Sequence, residues 1–485
     1  MQHLEFKLNT IRFHVRSLPL ILLIIFSFAH LPLLAQQNIG RAEPEPFPTV
    51  DGYKGIWFTL NQFYEYGDKY SGGLGTYTAK HNPLAIYAEE VDKTFFVYGG
   101  TRAENEKYLL CMIGSYDHKS HTLSKPIIVH DKEGVDDPHD NPSLSIDAQG
   151  YLWVFVSGRG KVRPGYKYKS TRPYDASSFE RVSTEELTYP QPWYLKEQGF
   201  LHLFTKYTGV RELYYESSKN GRDWTQDHKL AGIRADGDDK GGHYQMSKAK
   251  GNKVVTFFNW HPNGNVDQRT NLYYLQTTDL GNTWTTAEGE AIELPLTKLD
   301  NSARLQNYYT QQKNVYLKDV DFDRNANPIG LYITSRGHEP GPDNGPREWH
   351  VIHWNGTEWS DHIVTTSDHN YDMGSLIIND QEWMIVAPTK NKPQQYGGGG
   401  EIEIWVSTDE GKSWKKKLQL SQGSDRNHNY VRKVFHGKDP FLYFWADGNP
   451  DQFSRSEMYF GDSQGNYWKL PYEMSKSEAE PVPMK

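Results

Sequence analysis

The sequence predicts an all-β fold, a seven-bladed β-propeller with Asp-box turns. Three observations carry that prediction: aromatic residues in excess beside glycine and proline, short strand-like runs along the chain, and two repeats of different period. Aromatic residues make up 14 %, with 14 Trp and 32 Tyr beside 42 Gly and 26 Pro. This is the composition of many short strands joined by tight turns. Runs such as Thr94-Phe-Phe-Val-Tyr98, Leu152-Trp-Val-Phe-Val156 and Glu401-Ile-Glu-Ile-Trp-Val406 are rich in β-branched and aromatic residues and bounded by turn formers. No stretch holds helical periodicity beyond two turns. The 53 Lys+Arg against 61 Asp+Glu give a formal charge of -8. That balance excludes a general nucleic-acid binder, and the aromatic content excludes a disordered chain. One cysteine, Cys111, excludes an internal disulfide framework and reads as a small buried hydrophobe.

In chain order, Lys7, Arg12 and Arg16 precede an apolar stretch over 18–34 that ends at Ala35. This is the pattern of a secretory signal peptide, residues 1–35, which places the mature protein in a secreted or periplasmic location. A short linker follows over 36–47, the propeller over 48–472, and a polar tail over 473–485. No later segment is apolar for long enough to span a bilayer, so the mature chain is expected without a membrane span. The first strand is expected to complete the last blade, and a closed ring with no free edges is expected to be a monomer.

The shorter repeat reads S/T-x-D-x-G-x-x-W in Ser407-Thr-Asp409-Glu-Gly411-Lys-Ser-Trp414 and Thr277-Thr-Asp279-Leu-Gly281-Asn-Thr-Trp284, with a degraded copy ending at Trp224. In such a turn the carboxylate accepts turn N–H groups, the glycine takes positive φ, and the tryptophan packs between sheets. The longer repeat is a polar-aromatic cluster opening a strand, at His81, His139, Tyr189, Gly242, Gln306, Asp368 and Asn427. Successive clusters lie roughly 50 to 65 residues apart, the period of one four-stranded blade. The innermost strands line the axis, so seven clusters converge on one funnel. They bring Asn141, Tyr189, Gln191, Tyr207, His369, Tyr371, His428 and Tyr430 as candidate substrate contacts.

Arg159, Arg163, Lys206, Arg211, Arg269 and Arg432 accompany the clusters. In an acidic chain they make a local positive pocket suited to a carboxylate or sulfate ester. His and Tyr outnumber Asp140, Asp368 and Asp372 there, which disfavours a paired-carboxylate glycosidase. There is no G-x-S-x-G elbow and no H-E-x-x-H helix. His243, His261, His338 and His369 stand as candidates for a structural metal ion, which the sequence does not assign. A His/Tyr/Arg site suits β-elimination beside a uronate carboxylate. A cation or amide neutralises the carboxylate, a neutral His or ionised Tyr takes the C5 proton, and a Tyr hydroxyl protonates the departing C4 oxygen. That chemistry requires no cofactor, and its partner is an anionic polysaccharide or oligosaccharide.

Asp51-Gly-Tyr-Lys-Gly-Ile-Trp57, Tyr70-Ser-Gly-Gly-Leu-Gly75, His139-Asp-Asn-Pro142, Tyr189-Pro-Gln-Pro-Trp-Tyr194, Gly242-His-Tyr-Gln245, Ser367-Asp-His-Asn-Tyr-Asp372 and Asn427-His-Asn-Tyr-Val-Arg432 together resemble the BNR-repeat propellers. That group includes ulvan lyases and rhamnose–glucuronate lyases. The resemblance implies a seven-bladed propeller and cleavage of uronate-containing, often sulfated polysaccharide such as ulvan by β-elimination. It implies His139 as the catalytic histidine, Tyr244 as the catalytic tyrosine, and Asn141 as a channel-lining neighbour. Some members carry a second histidine where this chain reads Ser157-Gly-Arg-Gly160, which puts Arg159 in that place. His243 stands as an alternative base, and Lys206 or Arg269 as the neutraliser. The same chemistry also admits an oligosaccharide dehydratase that expels water from a free 4-hydroxyl. A sialidase-like hydrolase and a non-catalytic glycan-binding propeller complete the alternatives.

Overall fold

Short runs rich in β-branched and aromatic residues, most of them buried on both faces, make nearly every described element a strand. The structure is a computed structural model and describes residues 45–484. The expected signal peptide, and the linker as far as residue 44, lie outside the described residues. Among the described residues the helical pieces are three single 3₁₀ turns, Pro138–Asp140, Pro262–Gly264 and Val266–Gln268. None of the described helices is long and apolar enough to cross a membrane.

The strands form antiparallel meanders in chain order. Pro142–Ile146, Leu152–Val156, Gly165–Ser170 and Phe179–Glu185 make one. Thr188–Leu195, Gly199–Lys206, Glu212–Ser218 and His228–Arg234 make the next, with Leu296–Lys298 added in parallel at its edge. Three more open at Gln245–Lys250, Asn314–Phe322 and Ser375–Ile378. The meanders opened by Ala85–Ala88 and Asn427–Lys438 merge into one eleven-stranded sheet through a parallel pairing of Ile86 with Phe435. Five separate and two merged meanders are seven in all, and their opening strands neighbour one another in chain order, the last returning to the first. This is the arrangement of a β-propeller. Numbered along the chain, the first meander opens at Ala85 and the seventh at Asn427.

The apolar clusters lie between neighbouring sheets, as stacked sheets require. Trp193, Leu203, Phe258 and Trp260 belong to one such layer, and Tyr316, Ile333, Trp349 and Ile385 to another. The Asp-box turns link third to fourth strands and position the tryptophans of that packing. Asp409 accepts from the Ser413 backbone N–H at 2.9 Å and from the Ser407 hydroxyl at 2.7 Å, and Gly411 takes φ +85. In the degraded copy Asn220 replaces the carboxylate and accepts from the N–H groups of Arg222 and Asp223. Trp224 then sits 6.0 Å from Phe155 of the preceding sheet, and Trp284 sits 5.3 Å from Tyr215. Cys111 is fully buried, and burial pushes its thiol up to about 12.

Three expectations are corrected. Gly55–Thr59 does not complete the last meander; it pairs with Ser454–Ser456 and Ser71–Gly73 in a separate three-stranded sheet. The Gln306 cluster does not open a strand: Arg304–Gln306 is the outer strand of the fourth meander, and the fifth opens at Asn314. Residues 473–484 are more than a polar tail. Glu478–Ala479 pairs with Thr122–Ser124 on the first meander and Val482–Met484 with Tyr467–Lys469 on the seventh, so the C-terminal segment clasps both.

Ending the chain at residue 475 removes both clasp strands and no cavity residue. Each backbone hydrogen bond contributes about 1 kcal/mol, so stability is expected to fall by about 1–3 kcal/mol. A lowered denaturant midpoint with unchanged m-value checks this.

Candidate functional site

The loops that precede the opening strands, with those between second and third strands, enclose a cavity of about 240 Å³. His139 enters it from a self-capped turn. Asp137 is the N-cap of the 3₁₀ turn Pro138–Asp140, with proline at the first helical position. The Asp137 carboxylate accepts from the His139 backbone N–H at 3.0 Å and from ring Nδ1 at 2.5 Å. The proton is therefore placed on Nδ1, and Nε2 remains an acceptor, 3.1 Å from the Tyr77 hydroxyl. Burial pushes the imidazole below its usual value, against the pull of Asp137, and keeps it neutral. Burial opposes ionisation of Asp137, but the His139 ring and N–H and the Arg159 guanidinium hold the carboxyl well below the usual carboxylate range.

Tyr244 stands on the facing wall. The ring of Tyr189 lies between the two, 6.0 Å from His139 and 5.6 Å from Tyr244. Burial raises the Tyr244 phenol, but Arg211, Arg269 and Arg159 outweigh it, and the net direction is down. The guanidinium of Arg269 lies 4.9 Å from the Tyr244 ring centre and that of Arg211 lies 5.8 Å from it. Arg269 is fixed by donating to the Val266 carbonyl at 2.9 Å and to the Tyr371 hydroxyl at 2.8 Å. At one corner two buried guanidinium nitrogens have no hydrogen-bond partner, Nη1 of Arg159 and Nε of Arg211, and the Tyr207 hydroxyl beside them is hydrogen-bonded to Arg211. Two buried ammonium groups line the floor. Lys80 donates to the Leu317 carbonyl at 3.0 Å and Lys318 to the Asn370 carbonyl at 2.7 Å. Burial lowers both, Lys318 to about 7.

Of the residues singled out from sequence, the structure brings His139, Tyr244, Arg159, Arg211, Tyr189, Arg269, Tyr371 and Tyr430 to the cavity wall, with Tyr207 packed beside Gly160. The others are occupied elsewhere. His243 cannot act as base: its Nε2 accepts from the Ile233 N–H at 3.0 Å and its Nδ1 donates to the Asn259 carbonyl at 2.8 Å. Arg163 forms a fork on Asp140 at 3.0 and 2.8 Å and reaches Asp137 at 2.7 Å. Asn141 donates to the carbonyls of Leu74 and Tyr77, and so shapes the loop behind Tyr77. Gln191 binds the Gln245 carbonyl and the Ser247 N–H. Lys206 pairs with Asp227 at 2.6 Å. His369 accepts the Tyr371 N–H at 3.1 Å from behind that ring, and His428 accepts from the Trp445 indole at 2.9 Å. The four histidines considered for a metal do not converge, and among the described residues no group of three His, Cys, Asp or Glu is placed to hold an ion.

Sequence reasoning missed Asp137, Tyr77, Lys80, Tyr316 and Lys318. Asp137-Pro138 ahead of a histidine carried a readable turn signal. The lysines carried none, because each reaches the cavity from within a run that reads as loop or strand.

Against known proteins, the profile of the BNR repeat-containing family matches residues 103–367. An ulvan lyase of Pseudoalteromonas sp. (strain PLSV) is 23 % identical over 378 residues, covering 68 % of this chain and 74 % of that protein. One from Nonlabens ulvanivorans is 24 % identical over 412 residues, covering 71 % and 83 %. A solved polysaccharide lyase PL25 ulvan lyase superposes with a TM-score of 0.69 at 17 % identity, over 86 % of this chain and 96 % of its own. The same kind of enzyme bound to a -[GlcA(1-4)Rha3S]- unit superposes at 0.67, also at 17 % identity, over 82 % and 95 %.

Two outcomes follow from this geometry. Lys206→Ala is expected to leave kcat/KM within about twofold, since a partly exposed ion pair contributes about 0–1 kcal/mol; steady-state kinetics checks it. Burial drives His243 from 6.5 down to about 4. The folded chain then binds fewer protons than the unfolded one between those values. The associated stability is complete above pH 6.5 and is lost as the pH falls toward 4. Denaturant midpoints across that range should be level above it and fall within it.

Proposed function

Since the chain belongs to the BNR repeat-containing family, we propose that it is an exported polysaccharide lyase that cleaves ulvan-type chains by β-elimination at a uronate. The observation that carries this reading is the corner of Arg159 and Arg211, which line the cavity and each keep a buried guanidinium nitrogen without a partner. Unpaired buried N–H groups are costly, and the two oxygens of a sugar carboxylate would satisfy both at once. The names of the relatives, and the uronate unit in one of the superposed structures, support the choice of substrate.

In this reading the corner holds the C6 carboxylate and offsets the charge that develops as the C5 proton leaves. Nε2 of His139 takes that proton, and Asp137 steadies the imidazolium that results, an orienting role like that of a triad carboxylate. Tyr244 gives its hydroxyl proton to O4 as the C4–O4 bond breaks. The guanidiniums of Arg211, Arg269 and Arg159 then stabilise the phenolate left behind. The two groups are displaced in the directions their tasks need, a neutral base and an acidified phenol.

Incubation with ulvan is expected to produce the ultraviolet chromophore of a 4,5-unsaturated uronate. His139→Ala and Tyr244→Phe are each expected to lower its rate by about 10²–10⁴-fold while the fold is retained. Reducing ends without chromophore would assign hydrolysis, and binding without product a lectin. A saturated oligosaccharide that becomes lighter by one water without scission would assign the dehydratase. kcat/KM is expected to fall on the acid side as Nε2 takes up a proton, with a midpoint below 6.5.

A further inference from the structure

A hairpin stands against the cavity on the side of the fourth to seventh meanders. Phe63–Tyr64 and Gly67–Asp68 form it, and the residues at its two ends, Gln62 and Tyr70, line the cavity. The Asp68 carboxylate closes its base by accepting the N–H groups of Leu60 at 2.9 Å and Gln62 at 3.1 Å.

The hairpin is fastened to three consecutive meanders and lies close to a fourth. Lys69 forms an ion pair with Asp267 of the fourth. The Tyr64 hydroxyl lies 3.2 Å from Nε2 of His338 in the fifth. Tyr66 packs edge-on against Tyr396 of the sixth at 5.2 Å, and so closely on Gly341 that a β-carbon there would come within 2.3 Å of its ring. A β-carbon on Gly67 would lie 3.2 Å from the Asp451 carboxylate of the seventh. The loop beneath is itself tied down, because Arg347 donates to the carbonyls of Gly341 and Glu339 at 2.8 Å. Asn370 donates to the Gly337 carbonyl at 2.8 Å.

Residues 63–69 make none of these contacts with the second or third meander; on that side Tyr70, at the hairpin's end, meets the second, edge-on to the His139 ring at 6.2 Å. There Arg159 and Arg211 meet the cavity, and Val162, at the tip of the intervening loop, is 92 % exposed. A chain passing through the site in mid-polymer needs an exit on both sides, and the hairpin stands across one of them.

We infer that the hairpin over residues 63–68 makes this an enzyme of chain ends and short oligosaccharides, the longer part of the substrate leaving over the Arg159–Arg163 loop. The inference deepens the elimination reading and rests on it. Specificity here is a steric block against one class of substrate.

The test follows ulvan digestion by the full chain with two readouts, chromophore formation and polymer size by size-exclusion chromatography. Attack at ends releases small products from the outset while the bulk polymer stays long. A polymer that halves in length while little chromophore has formed overturns the inference. A chain that forms no chromophore from polymer or from oligosaccharides overturns the elimination reading and the inference with it. Replacing residues 63–68 by Gly-Ser, or the milder Tyr66→Ala, is expected to raise the ratio of kcat/KM on polymer to that on a tetrasaccharide by about tenfold. An unchanged ratio in a folded variant also overturns it, and the wild-type size profile decides the matter if neither variant folds.

Discussion

One carboxylate, Asp137, is the joint on which the site turns. It caps the turn that presents His139, accepts that residue's backbone and ring N–H groups, and anchors Arg163 at 2.7 Å and, more loosely, Arg159 at 3.8 Å. A short side chain thus fixes the tautomer of the imidazole, the aim of its second nitrogen, and the position of the nearest guanidinium. Asp140, fully buried beneath it, receives the rest of Arg163 together with Lys132 at 2.9 Å. Burying so much charge is tolerable only because every carboxylate in the cluster is paired more than once. Removing any member leaves the others exposed to the full cost of desolvation.

The cavity above that joint sorts its residues by what burial does to each. A histidine loses its proton under burial, while a guanidinium, with its very high intrinsic pKa, keeps its charge. Packing imidazole, phenol and guanidinium together therefore keeps the imidazole neutral and acidifies the phenol. His261 illustrates the rule: it is fully buried against the Tyr244 ring at 4.9 Å and lies among Arg211, Arg269 and Lys80, and burial with those cations holds it neutral. Tyr371 and Tyr70, stacked 5.0 Å apart, give the opposite wall an apolar face against which a sugar ring can lie.

Much of this was legible in the amino-acid sequence. Aromatic punctuation at a blade-length interval located six of the seven opening strands, and the Asp-boxes placed the tryptophans between sheets. His139, Tyr244, Tyr189, Arg159 and Arg269 were readable because each sits at the mouth end of a strand or in a loop beside it. The misses have physical causes. In His243 and Tyr244 the chain alternates, so adjacent residues face opposite ways, and only one of the pair can meet the cavity. Arg163 carries the same charge as Arg159, but a hairpin loop between them turns it back onto Asp140. The Gln306 cluster copies the composition of a strand opening while standing eight residues before the strand, at Asn314. Lys80 and Lys318 reach the cavity through tertiary packing that no local pattern encodes.

The clasp at the C-terminus bears on how the molecule comes into being. Six of the seven interfaces between sheets join neighbours in sequence and are available as soon as the second partner leaves the ribosome. The seventh joins Ile86 to Phe435, and the clasp across it joins Thr122 to Glu478, 356 positions apart, so closure waits until residues 478–484 have been made. Closing so long a loop costs little more entropy than closing a shorter one, but contacts of such separation form slowly. Throughout synthesis the nascent chain therefore carries two bare sheet edges, the strand geometry most prone to pairing with another copy. A chain that stops short of residue 478 leaves those edges unpaired, so the clasp strands separate a closed ring from an aggregation-prone fragment.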